Sequence, residues 1–208
     1  MTTVAMGSSE TAAPVAHWQG GVSPFAVSWQ KLMMWIFLVT DALLFAGFLA
    51  SYGFVRLASP AWPEQNEVFP MLKIAAMTFV LITSSATMAT AVGAAHRRDL
   101  KRAMVFVALT ALGGLLFLLA QATEWETLIA EGARLTHNPW GPAPFAAFFF
   151  MITGFHGSHV LIGVILLTVV ALRLWRGRAT GMGVEVAGLY WHFVDVVWCF
   201  IFPLFYLL

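Results

Sequence analysis

Cysteine is almost absent from this chain, and the shortage closes several chemistries at once. The single cysteine, Cys199, has no second thiol with which to form an internal disulfide, a CxxC redox pair, a c-type haem attachment or a two-cysteine copper centre. Charge is scarce too. Only 10% of the 208 residues are Asp, Glu, Lys or Arg, where a soluble domain carries about 25%, so a soluble globular fold is excluded. GxGxxG, Walker and zincin patterns are missing, and no internal repeat is found. Residues 1–28 contain no apolar run that would serve as a signal-peptide core. They are rich in Ala, Ser, Thr, Gly and Pro and read as a flexible tail that stays on the protein, with His17-Trp18 its one conspicuous pair.

What the chain has in abundance is apolar length. Apolar residues make up 60% of it, and the mean hydropathy is +0.82. Five apolar segments stand out, at 32–55, 74–95, 103–123, 145–172 and 186–208. Each exceeds the ~20 residues that span ~30 Å of hydrocarbon at 1.5 Å per residue. Barrel strands would alternate and be about half as long. The expected fold is therefore all-α: a polytopic bundle of five transmembrane helices occupying residues 29–208 as one membrane domain. Lys31, Arg97, Arg98, Lys101, Arg102, Arg173, Arg176 and Arg178 fall on one side of it, and only Arg56, Lys73 and Arg134 on the other. The positive-inside rule then puts the N-terminus in the cytoplasm and the C-terminus outside. Ala42, Ala46 and Ala50 on the first helix, and Ser85, Ala89 and Gly93 on the second, form small-residue rows expected to be packed faces. Cys199, set among Trp198, Phe200 and Phe202, is expected to be a buried thiol. The outer connections Ser59-Pro-Ala-Trp-Pro63 and His137-Asn-Pro-Trp-Gly-Pro-Ala-Pro144 combine proline with tryptophan and are expected to be structured.

Ionisable residues inside the spans carry whatever chemistry the chain has, because they are costly at that depth. Asp41 lies ten residues beyond Lys31, about 15 Å in and near the midplane. A carboxyl group there is expected to be protonated or held by a partner. Two readings stand: a proton-handling or subunit-contact group, and a plain interhelical hydrogen bond. His156 and His159, and likewise His192 and Asp195, are three residues apart and share a helix face. These spacings suit metal ligation or a b-type haem held between helices. Such a centre needs more ligands than two helices supply, and the first three spans contain no histidine. A hydrogen-bonded polar cluster is the preferred reading, with no metal, cofactor or catalytic residue in this chain. Gln121 and Glu124, one turn apart, are expected at a wetted helix end or interface.

These residues also carry a family resemblance. Tyr190-Trp-His-Phe-Val-Asp-Val-Val-Trp198 resembles the C-terminal signature of subunit III of the haem-copper respiratory oxidases, and Trp191 and Trp198 are taken with it as helix-end or interface residues. Thr153-Gly-Phe-His-Gly-Ser-His-Val160 with Gly163 is similar to a second signature, and Ala120-Gln-Ala-Thr-Glu-Trp125 to a third. Lys31-Leu-Met-Met-Trp-Ile-Phe-Leu38 and Trp62-Pro63 also fit. The resemblance covers residues 31–208 and implies the short, five-helix bacterial form. It further implies a non-redox subunit that packs on catalytic subunit I, holds phospholipid and supports proton uptake and durable turnover in the bacterial cytoplasmic membrane. The partner subunits then hold haem and copper, and neither nucleic acid nor a small-molecule substrate of this chain's own is expected. Asp41 after Thr40, where glutamate is typical of cytochrome c oxidases, leaves open a quinol oxidase. A nitric-oxide-reductase accessory protein and a free-standing membrane cytochrome remain alternatives.

Overall fold

The computed structural model describes residues 27–178 and 180–207, with the side chains of Asn66 and Glu67 left aside. Most of the N-terminal tail, including His17-Trp18, lies outside the described residues. Five helices are long and apolar enough to cross a membrane: α1 (Trp29–Ala58), α3 (Met71–His96), α4 (Leu100–Ala130), α5 (Ala143–Trp175) and α6 (Gly181–Phe202), the last continued by a π-helical turn over Pro203–Leu207. A four-residue helix, α2 (Gln65–Val68), lies between α1 and α3. No strand occurs among the described residues.

The helices outrun the apolar segments because polar residues cap them beyond the hydrocarbon. Ser28 accepts a hydrogen bond from the Lys31 amide at the start of α1, and Asp99 from the Arg102 amide at the start of α4. At the other ends, Gly132 and Gly177 adopt positive φ (104° and 65°), the left-handed closure of a helix that glycine accepts most easily. Arg98 does the same at φ 60° in the three-residue link from α3 to α4. So short a link makes α3 and α4 antiparallel neighbours.

α6 is the hub. Half of its apolar window is buried, against 17% of α1's. It packs on α3 and α5, and more lightly on α1 and α4, while α3 and α4 pair most extensively and α4 continues onto α5. α1 is peripheral, leaning on α6 and α5. The proline–tryptophan connections are structured, as expected. Trp62 packs edge-on against Tyr52 and Phe145, Gly141 abuts Pro63, and Asn138 donates to the Pro142 carbonyl at 3.1 Å.

Three packing expectations need correction. Ala42, Ala46 and Ala50 are exposed; the face that α1 turns inward is Leu38, Asp41, Phe45 and Tyr52. On α3 the buried row is Leu81, Ser84, Met88, Ala91 and Ala95; of the expected row Ala89 is exposed, while Ser85 and Gly93 are half-buried and Ser85 meets His192 of α6. Cys199 is also exposed. In each case composition marked the right helix, but small residues occur on both packed and lipid-facing sides, and only the neighbouring helices choose between them.

Candidate functional site: paired polar groups inside the bundle

Two tryptophans of α6 organise the interior. Trp191 is fully buried, and its indole occupies the room left by two glycines: a methyl group at Gly114 on α4 or at Gly163 on α5 would collide with it. Its Nε1 donates to Ser84 Oγ on α3 at 3.1 Å. Two turns on, Trp198 is likewise fully buried, donates to Thr78 Oγ1 at 3.0 Å and meets Phe117 edge-on at 4.8 Å. Neither is a helix-end residue. Each indole satisfies its single N–H on a hydroxyl of α3 while filling a void between helices.

Around these tryptophans the ionisable groups separate into distinct sites rather than one cluster. Asp41, 8% exposed, reaches from α1 to α5, where its Oδ2 stands 3.4 Å from His159 Nε2. The contact is too long or poorly aligned for a good hydrogen bond, but it is the closest charge partner either group has. His159 Nδ1 lies 2.8 Å from the Phe155 carbonyl, which can only accept, so Nδ1 carries a proton. One further proton shared between Nε2 and the carboxyl leaves the pair neutral, whichever atom holds it. A neutral pair is what a low-dielectric interior tolerates. Tyr190 closes the site by donating to the His159 carbonyl at 3.0 Å.

His192 and Asp195 share a face of α6, yet Ser85 of α3 stands between them. Ser85 Oγ is 2.7 Å from His192 Nδ1 and also lies beside the Asp195 carboxyl. Asp195 Oδ1 is buried without a hydrogen-bond partner among the described residues. His156 departs from expectation. It is 1% exposed, and neither ring nitrogen has a hydrogen-bond partner among the described residues. The ring acts as an aromatic instead, stacked on Trp198 at 5.2 Å and 27° and set edge-on to Phe117 at 5.9 Å.

Gln121 and Glu124 are not a wetted helix end. They are 5% and 2% exposed. Gln121 Nε2 donates to Glu124 Oε2 at 3.1 Å, and Tyr206 of the terminal turn donates to the same oxygen at 3.3 Å. The burial comes from Tyr206, itself fully buried against Phe69, Phe149 and Trp198. Sequence reasoning missed Ser84, Thr78, Tyr190 and Tyr206 as partners. The available signal was the run of hydroxyls at 78, 84, 85 and 87 on an otherwise apolar α3.

The arrangement suits holding charge and protons inside a bundle. Among the described residues no group of three or more His, Cys, Asp or Glu gathers as a metal-ligand set. The reason is visible in the geometry: Asp41 faces His159, His192 is engaged by Ser85, and the His156 ring is stacked on Trp198.

The fold and these sites define a multi-pass helical membrane protein with several buried polar groups paired between helices. Residues 13–208 match the family model for cytochrome c oxidase subunit III. The cytochrome c oxidase subunit 3 of Synechocystis is 38% identical over 181 residues, covering 83% of this chain and 73% of that protein. Subunit 3 of the cytochrome bo(3) ubiquinol oxidase of Pseudomonas aeruginosa is 30% identical, covering 93% and 88%. Subunit 3 of the Bacillus subtilis quinol oxidase is 33% identical, covering 85% and 86%. The chain belongs to the cytochrome c oxidase subunit III family, the third subunit of haem-copper oxidases.

Proposed function

We propose that this chain is a supporting, non-redox subunit of a proton-pumping terminal oxidase, most directly a cytochrome c oxidase. It packs on catalytic subunit I, whose complex holds the haems and copper, binds phospholipid, and supports proton uptake and durable turnover. It lies in the bacterial cytoplasmic membrane with its N-terminus in the cytoplasm. The observation that carries this reading is the Asp41–His159 pair: an acid near mid-membrane is met by an imidazole of a neighbouring helix. Such a pair can retain and relay a proton without a metal. A quinol oxidase is the second reading, favoured by Asp41 itself and by the ubiquinol and quinol oxidase relatives.

Purification in mild detergent through a tag on this chain tests the assignment. It should bring down an oxidase that consumes oxygen, and the choice between reduced cytochrome c and quinol as donor separates the two readings. Co-purification of no oxidase subunit would overturn both. In the same complex Asp41→Asn keeps the shape and offers an N–H to His159. Initial oxygen reduction should stay near normal, with the defect appearing as slower proton uptake or earlier loss of activity during sustained turnover. Immediate collapse of oxygen reduction in a fully assembled variant would remove the supporting role.

A further inference from the structure

Between α1 and α6 an apolar groove is left on the outside of the bundle. Its first part, 330 Å³, is lined by Leu38, Val39 and Ala42 of α1 and by Leu189, His192 and Val196 of α6. A second part of 210 Å³ continues it past Ala46 towards Phe200. His192 is the anomaly in these walls. It is half-buried, and its Nδ1 is taken by Ser85, while Nε2 has no hydrogen-bond partner among the described residues. Eleven residues separate it from Gly181 at the start of α6, about 16 Å at 1.5 Å per residue, which is the middle of a ~30 Å hydrocarbon layer.

We propose that this groove is the seat of a transmembrane helix of the partner oxidase, and that this helix presents a hydrogen-bonding side chain to His192 Nε2. The proposal rests on the functional reading above and adds the docking face. Acyl chains offer neither donor nor acceptor, so lipid alone leaves the nitrogen unsatisfied where water is excluded. A helix carrying Ser, Thr, Asn, Gln or a protonated acid satisfies it. The surrounding walls also favour a helix. Ala42 and Ala46 project little, which permits close backbone approach; lipid draws no benefit from that, whereas packed helices do.

Photocrosslinking in the intact complex tests the face directly. A benzophenone amino acid replacing Val196 should capture an oxidase subunit. Capture of lipid only, or of a second copy of this chain, overturns the proposal, as does a Val196 probe that captures nothing while probes at Leu116 on α4 or Leu161 on α5 capture the oxidase. Two variants keep the test independent of the probe. Ala42→Trp fills the groove without touching the Ser85 bond, and recovery of partner subunits should fall at least tenfold while the chain's own thermal midpoint holds. His192→Leu should lower recovery several-fold more than His192→Gln, which keeps a polar group. Unchanged recovery in both Ala42→Trp and His192→Leu overturns the proposal. If the wild-type chain brings down no oxidase subunit, the functional reading has failed first; if it does but the groove probes and variants are silent, only the docking face is wrong.

Discussion

At the scale of single residues, the tightest fit in the molecule is Trp191 against Gly114 and Gly163. A membrane interior gives helices little hydrophobic reason to associate, so close packing and interhelical hydrogen bonds carry the specificity. Trp191 supplies both, through its contacts with the two glycines and its bond to Ser84. Gly114→Ala puts a methyl group into the indole ring, and overpacking of this kind costs about 1–3 kcal/mol. Thermal unfolding in detergent should show a lowered midpoint. Trp191→Phe removes the outer ring and the Ser84 bond and is destabilising by itself. The Gly114→Ala/Trp191→Phe double variant should nevertheless be less destabilised than the sum, because the collision with the indole is then relieved and only that with Val164 remains. Additive losses would show that the two residues do not meet as described.

At the scale of elements, α1 is the spanning helix most loosely joined to its neighbours, and polar contacts help hold it at three depths. Lys31 pairs with Glu185 of α6 at the basic end, Asp41 meets His159 of α5 in the middle, and Tyr52 donates to the Leu204 carbonyl at the other end at 3.1 Å. Glu185 also stands 3.5 Å from His96, so one carboxylate ties α1, α3 and α6 together. Lys31 and Glu185 are each about one-fifth exposed, and solvent screening keeps such a pair near 1 kcal/mol or below. Lys31→Glu should weaken the attachment of α1 through like-charge repulsion, making the α1–α3 connection more open to limited proteolysis. Adding Glu185→Lys should restore protection, though the contact with His96 is then lost and the recovery is partial. No recovery at all would mean that the pair does not hold α1.

At the scale of the whole molecule, the contacts of Lys31 and His96 with Glu185 gather the start of α1, the end of α3 and the start of α6 at one end of the bundle. The short α3–α4 link adds Arg97, Arg98, Lys101 and Arg102 to that end, and the end of α5 adds Arg173, Arg176 and Arg178. By the positive-inside rule this end is expected to face the cytoplasm. Reporter fusions should place the 97–99 link in the cytoplasm and the 131–142 connection outside. The reverse pattern would invert the molecule and move the groove's His192 with it.

Apolar run length by itself determined that there are five spanning helices, since no other backbone satisfies its hydrogen bonds through ~30 Å of hydrocarbon. Scarcity of charge likewise made Asp41, His156, His159, His192 and Asp195 stand out, because ionisable groups are rarely left at that depth without purpose. The resemblance at 153–160 and 190–198 was legible for the same reason: the unusual residues are the motif. Which of these groups meet was decided by tertiary structure alone. Periodicity places His192 and Asp195 on one face of α6, but it cannot show that Ser85 of α3 lies between them, that Asp41 finds His159, or that His156 stacks on Trp198 with both nitrogens idle. It also could not show that the alanine row of α1 is left out of the chain's own core while Tyr206 returns to bury Glu124. A helix pattern records the angle of a side chain about its own axis. The partner depends on which helix occupies that direction, and in this bundle that is settled by how α6 fits its two tryptophans between α3, α4 and α5.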